Sequence, residues 1–229
     1  RTGDVAVAAT VRNVARRRAA EPGAAPTADD LRAAVREDPP GTLLVIALDT
    51  SGSMGASERV EAATGAVLGL LTDAYQRRDR LAVVTFDGEG ARVALAPTAS
   101  VEVARTRLAR LRTGGTTPLA SGLATALDVA TREGGGLRRD DRSALVVVTD
   151  GRATGPDGGI DAALDVAARI GAAGVPALVL DAEMGMPRLG LAARLAAAMA
   201  APCRPLADLT PAALHTLTTP PPAGRPGPG

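Results

Sequence analysis

The stretch TLLVIALDTSGS, residues 42–53, constrains this chain more than any other. Residues 43–48 are apolar without alternation, the pattern of a strand covered on both faces in a parallel sheet. Asp49 therefore emerges at the carboxyl end of a central strand, the edge at which open α/β sheets bind ligands. Ser51, Gly52 and Ser53 follow, offering hydroxyls and backbone amides but no base. One carboxylate and two neutral hydroxyls make a hard, oxygen-only, incompletely charged donor set. Such a set suits Mg²⁺, which takes near-octahedral oxygen coordination at about 2.0–2.1 Å and keeps some water.

The rest of the chain reads as strands alternating with helices. Helical spacing of Val60, Ala63, Val67, Leu70, Leu71 and Ala74 predicts a crossover helix over 58–78. Residues 81–86 read as a second buried strand, and Asp87-Gly88 turns it into a short antiparallel edge strand at 91–95. Helices are expected over 100–111, 119–132, 160–170 and 187–199, with further strands at 144–149, 175–180 and 204–206. Thr117-Pro118 and Thr210-Pro211 have the form of an N-cap followed by a first-turn proline. Each parallel return requires a crossover. The expectation is thus one α/β domain over 42–217, doubly wound, with a mostly parallel sheet of about six strands, helices on both faces and an antiparallel edge strand.

Flanking this domain, residues 1–41 read as a helical N-terminal extension, with Arg16, Arg17 and Arg18 as a solvated face. Pro39, Pro40 and Gly41 break the chain before the first strand, and the Pro- and Gly-rich residues 218–229 read as a disordered tail. The chain opens at Arg1 rather than Met, which suggests a processed or excised piece of something longer.

Composition excludes several functions. All 26 basic residues are Arg and 25 acidic residues nearly cancel them, so a net charge of +1 gives no case for nucleic acid or a membrane surface. Without Lys there is no Walker A loop. One cysteine, Cys203, excludes an internal disulfide or a Cys cluster for zinc and reads as a buried small apolar group. The sole histidine, His215, falls near the tail, so a serine hydrolase lacks its base. A phosphoryl-accepting aspartate, as in haloacid dehalogenase-type phosphatases, would want a second Asp where Ser51 stands. No apolar run approaches the roughly 18 residues of a membrane span and no signal peptide is visible, which reads as a cytoplasmic chain.

Three loops fall on one edge of the sheet: Asp49-x-Ser51-x-Ser53, the threonines Thr116-Thr117, and Asp150. Each alone has an ordinary explanation, as an N-cap, a turn or a helix start. Their joint order and strand context point instead to a shared site.

Asp49-Thr50-Ser51-Gly52-Ser53, a later Thr, and Asp150-Gly151 after a buried strand resemble the metal-ion-dependent adhesion site of von Willebrand factor A (integrin I-like) domains. The resemblance implies that Ser51 and Ser53 bind Mg²⁺ (or Mn²⁺) through their hydroxyls, Thr117 in some states, and Asp49 and Asp150 directly or through water. Thr117 is preferred to Thr116 because it stands five residues before Gly122, the family's spacing. An acidic side chain of a partner protein completes the metal's shell in that family.

A narrower resemblance runs through AVLGLLTDAYQRRDRLAVVTF, LAPTASVEVA, GGTTPLASGL and VVVTDGRA to the carboxy-terminal A domain of the D-type subunit of magnesium chelatase and cobaltochelatase. AATVRNVARR and DDLRAAVRE resemble the segment before that domain. This implies a non-catalytic part of a chelatase, acting with an AAA+ ATPase subunit and a large porphyrin-binding subunit in tetrapyrrole biosynthesis, for chlorophyll or cobalamin. Two departures remove positive charge: Thr64 stands where the family commonly has Lys, and Asp87-Gly88 where it has Arg-Gly. The alternative is a free-standing A domain that binds some other ligand.

Overall fold

The computed structural model describes residues 7–23, 25–30, 42–52, 61, 64, 65, 68, 69, 79–134, 142–183 and 188–208. Ser53, Thr210, Pro211, His215 and the tail lie outside them, as does most of the expected crossover helix, of which Glu61, Thr64, Gly65, Leu68 and Gly69 are helical.

The chain divides into two compact units, Arg1–Pro39 and Pro40–Gly229. In the first, α1 (Val7–Ala20) is followed by a 3₁₀ turn at Ala28–Asp30. Arg16 and Arg18 are exposed as expected, but Arg17 is half-buried. Its guanidinium pairs with Asp30 Oδ2 at 3.0 Å and donates to the Thr27 hydroxyl at 3.0 Å, which ties the helix to the turn.

In the second unit a six-stranded sheet has the order β3-β2-β1-β4-β5-β6. Its strands are β1 (Thr42–Asp49), β2 (Arg80–Asp87), β3 (Gly90–Thr98), β4 (Arg142–Thr149), β5 (Ala177–Asp181) and β6 (Cys203–Pro205). Only the β2–β3 hairpin is antiparallel. β1 lies between β2 and β4, and every one of its residues is buried, which is why its sequence shows no alternation. Its odd-numbered side chains, Leu43, Val45 and Ala47, pack with Leu119 and Leu123 of α3 (Leu119–Gly134), Ile170 of α4 (Gly159–Ala172) and Leu195 of α5 (Leu191–Ala198). The even-numbered Leu44, Ile46 and Leu48 pack with Ala104 and Leu108 of α2 (Val101–Leu108). Two helical layers thus cover one sheet. Phe86, the only phenylalanine, sits fully buried on the α3 face. A Cβ on Gly122 of α3 would stand 2.4 Å from its ring, so the glycine lets helix and sheet close.

Several boundaries differ from expectation for local reasons. The β3 strand extends to Thr98, because pairing with β2 continues past register shifts between Leu81 and Val84. Helix α2 stops at Leu108, where Arg110 and Leu111 turn into tighter bonds to Arg107 and Leu108. The helix expected over 187–199 starts at Leu191 rather than 187; the brief helix expected after Thr210-Pro211, to about Leu217, lies outside the described residues. The Glu183 carboxylate accepts the Leu189 and Gly190 N–H groups at 2.7 and 3.1 Å, fixing the preceding loop outside the helix. Among the described residues no helix is long and apolar enough to cross a membrane.

Candidate functional site

Asp49 ends β1 and Asp150 follows β4, adjacent strands paired through Leu48 and Val148. Parallel pairing in that register brings both carboxylates to the same edge. Asp49 is fully buried, and its oxygens are divided between two donors. The Ser51 N–H donates to Oδ1 at 3.0 Å and the Thr149 hydroxyl to Oδ2 at 2.9 Å. Asp150 Oδ1 accepts the Arg152 N–H at 3.0 Å, while the Arg152 Nε stands 3.9 Å from Oδ2.

The loops are laced together through their main chains. Gly114 N–H donates to the Thr50 carbonyl at 2.9 Å, Gly52 N–H to the Gly115 carbonyl at 3.0 Å, and Gly88 N–H to the Gly114 carbonyl at 3.3 Å. Gly115 has φ +73°, and a Cβ there would lie 2.6 Å from Gly88 Cα; only glycine permits this approach with that backbone. The other end of the threonine loop is tied to the segment after β4. The Thr117 N–H donates to the Thr154 hydroxyl at 2.9 Å, and the Thr117 carbonyl accepts the Thr154 and Gly155 N–H groups. Thr117 is thereby buried on the side of Asp150, whereas Thr116 is exposed.

The expected N-cap role of Thr117 is not seen: among the described residues its hydroxyl accepts no N–H from α3. The Asp157 carboxylate takes the Ser121 N–H instead, at 2.8 Å. The structure therefore brings Asp49, Ser51, Thr117 and Asp150 to one laced edge, with Ser53 outside the described residues.

Electrostatics distinguish Asp49 within that edge. Burial pushes its carboxyl above the ordinary value, opposed by the hydrogen bonds from Ser51 and Thr149 and reinforced by the charge of Asp150. Among the described residues no Arg forms an ion pair with Asp49, and no three Asp, Glu, His or Cys side chains gather in one cluster. Two carboxylates and a set of neutral hydroxyls remain. That donor set fits a hard divalent cation, which would relieve both the desolvation of Asp49 and its repulsion from Asp150.

Sequence reasoning passed over two supporting groups. Thr149 holds Asp49 from 100 residues away; its place at the end of a buried run was the available signal. Asp87, read as a turn residue and as a departure that removes positive charge, is buried under two bonds from Arg92 (3.2 and 3.0 Å), one from the Glu89 N–H (3.0 Å) and one from the Thr50 hydroxyl (3.1 Å). Burial alone would raise its carboxyl, but these bonds and the Arg92 charge hold it below the ordinary value. Cys203 is half-buried at the sheet's far edge, and burial and Asp181 push its thiol up, away from the thiolate a nucleophile needs.

Residues 44–152 match the family model described as the von Willebrand factor type A domain. The chain is 49% identical over 179 residues to the uncharacterized protein Rv2850c of Mycobacterium tuberculosis, covering 77% of this chain and 28% of that one. It is 36% identical over 185 residues to the magnesium-chelatase 67 kDa subunit of Chlorobaculum tepidum, covering 73% and 29% respectively. The chain thus spans under a third of the length of these curated relatives. Among solved structures, the SpRpn10 VWA domain superposes with a TM-score of 0.55 at 15% identity, covering 74% of this chain and 93% of that one; at that identity the likeness speaks for the fold alone.

Proposed function

Starting from a chain that carries a von Willebrand factor A domain related to magnesium-chelatase subunits, we propose that it is a Mg²⁺-dependent protein-interaction module of a chelatase D-type subunit. The observation that carries this reading is Asp49: a fully buried carboxylate, set beside Asp150 and without a basic partner among the described residues. Asp49 and Asp150 would hold the ion directly or through water, Ser51 and Ser53 through their hydroxyls, and Thr117 in some states. Mn²⁺ is the alternate ion. When bound, the cation supplies a Lewis-acidic corner that takes a carboxylate of a partner protein.

The chain's own residues do the rest. The Ser51 N–H and Thr149 hydroxyl fix the plane of the Asp49 carboxylate. The main-chain bonds among Thr50, Gly52, Gly88, Gly114 and Gly115 tie the loops together, which lowers the ordering cost of binding. In this reading the module is non-catalytic and cytoplasmic, and couples an AAA+ motor subunit to the large porphyrin-binding subunit that inserts the metal in tetrapyrrole biosynthesis.

The test is a pull-down of the large chelatase subunit by this chain, with Mg²⁺ and with chelator, beside the Ser53→Ala form. Capture that needs Mg²⁺ and fails in the variant supports the reading; capture indifferent to both overturns it.

A further inference from the structure

Immediately beside Asp150, the loop after β4 meets the loop after β5. The Ala182 N–H donates to the Thr149 carbonyl at 3.0 Å, and Gly151, at φ +78°, lies so close to the start of α5 that a Cβ would stand 2.5 Å from the Ala192 nitrogen. Two arginines project from this junction. Arg152 is half exposed, with its Nε 3.9 Å from Asp150 Oδ2, and Arg188 is exposed on the second loop.

The carboxylate of Glu183, at the same junction, is held below its ordinary value by the N–H groups of Leu189 and Gly190 and, less, by the charges of Arg152 and Arg188. Glu183 accepts those N–H groups, and among the described residues neither arginine makes a hydrogen bond or ion pair to it. Among the described residues, Arg188 makes no hydrogen bond or ion pair, and Arg152 has only the long contact to Asp150. Two planar five-donor guanidinium groups on adjoining loops, with most of their N–H groups not taken up by the protein, offer a site for further carboxylates. Contrast Arg92, whose fork is filled by Asp87.

We infer that Arg152 and Arg188 form an arginine pair that selects an acidic segment: one carboxylate of the partner goes to the metal corner and its neighbouring acidic residues go to these two guanidinium groups. This rests on the metal-site reading above and sharpens it, from a lone acidic side chain to a run of them. A ligand with one isolated acid would use the metal alone; a run of acids would gain two charge-assisted contacts and faster, salt-sensitive association.

The experiment uses two fluorescein-labelled peptides and fluorescence anisotropy with the 229-residue chain in Mg²⁺ at low salt. One peptide has a single Glu among Gln residues, and the other has that Glu flanked on both sides by Glu. The flanked peptide is expected to bind about fivefold tighter, a preference set by two partly exposed pairs. The preference should shrink at high salt and fall to near one in the Arg152→Gln/Arg188→Gln double variant. Arg105→Gln, a distant exposed arginine on α2, should keep it. Equal affinities for the two peptides, or a preference that survives the double variant, overturns the arginine pair while Mg²⁺-dependent binding of the single-Glu peptide still stands. Binding of neither peptide above its level in chelator overturns both the pair and the metal-site reading beneath it.

Discussion

Two neighbouring strands of this sheet end in a buried aspartate, and the two carboxylates have opposite circumstances. Asp87 closes β2 beneath Arg92, with the Thr50 hydroxyl and the Glu89 N–H completing its bonds. Asp49 closes β1, one strand over and opposite Phe86, with two neutral donors and another carboxylate nearby. The first is neutralised from within, and its carboxyl is held below the ordinary value; the second has no basic partner among the described residues, and burial pushes its carboxyl above that value. Burial is common to both. What separates a brace from a site is whether the chain supplies the opposite charge.

The largest expected effect falls on the lacing that both aspartates share. Gly115→Ala would force a side chain onto Gly88 at φ +73° and is expected to cost about 3 kcal/mol in chemical denaturation, while also weakening Mg²⁺ binding. If stability falls and Mg²⁺ affinity does not, the threonine loop and the metal edge are separable. Asp87→Asn should cost about 2 kcal/mol, less than the roughly 3–5 kcal/mol of a fully buried broken pair, because Arg92 is 42% exposed. Its Mg²⁺ dependence of melting should persist, which is the signature of a brace.

Asp49→Asn reverses that pattern. Its metal-free stability should match or exceed that of the parent chain, since a desolvated charge is removed. The stabilisation of about 1.4 kcal/mol expected at Mg²⁺ tenfold above its dissociation constant should vanish. Smallest is the pH effect. A carboxyl whose folded pKa lies above its unfolded value stabilises the fold below that window and loses the contribution as pH rises through it, so Asp49 should make the metal-free chain modestly more stable as pH falls toward the ordinary carboxylate range. Asp87 has the opposite sign, and its contribution is lost only as pH falls below the ordinary carboxylate range. Added Mg²⁺ should remove the Asp49 part of this dependence; melting curves across pH, with and without the ion, measure both.

Much of this was legible in the sequence, for reasons visible in particular residues. The apolar runs of β1 and β4, and that of β2 interrupted only by Thr85, read as strands buried on both faces, with an aspartate at or just after the end of each. The hairpin edge, the order of elements and the loop positions of Asp49, Thr117 and Asp150 followed from those runs. Less legible were features that depend on what lies across space. Asp157 caps α3 from beyond β4, displacing the nearby Thr117 that local preference favours. Glu183 sets the start of α5 by binding two amides of the preceding loop. The pairing of Arg92 with Asp87 turns an expected turn residue into a buried brace. In each case a distant or folded-back partner overrules a local signal, and its position is known only once the sheet has assembled.

The most direct measurement is a Mn²⁺ titration followed by electron paramagnetic resonance on the parent chain, Asp87→Asn and Asp49→Asn. The expected result is one competitively Mg²⁺-displaceable ion per chain in the parent and in Asp87→Asn, and none in Asp49→Asn. Retention of that ion in Asp49→Asn, or its absence from the folded parent, would contradict a divalent-cation site at the end of β1.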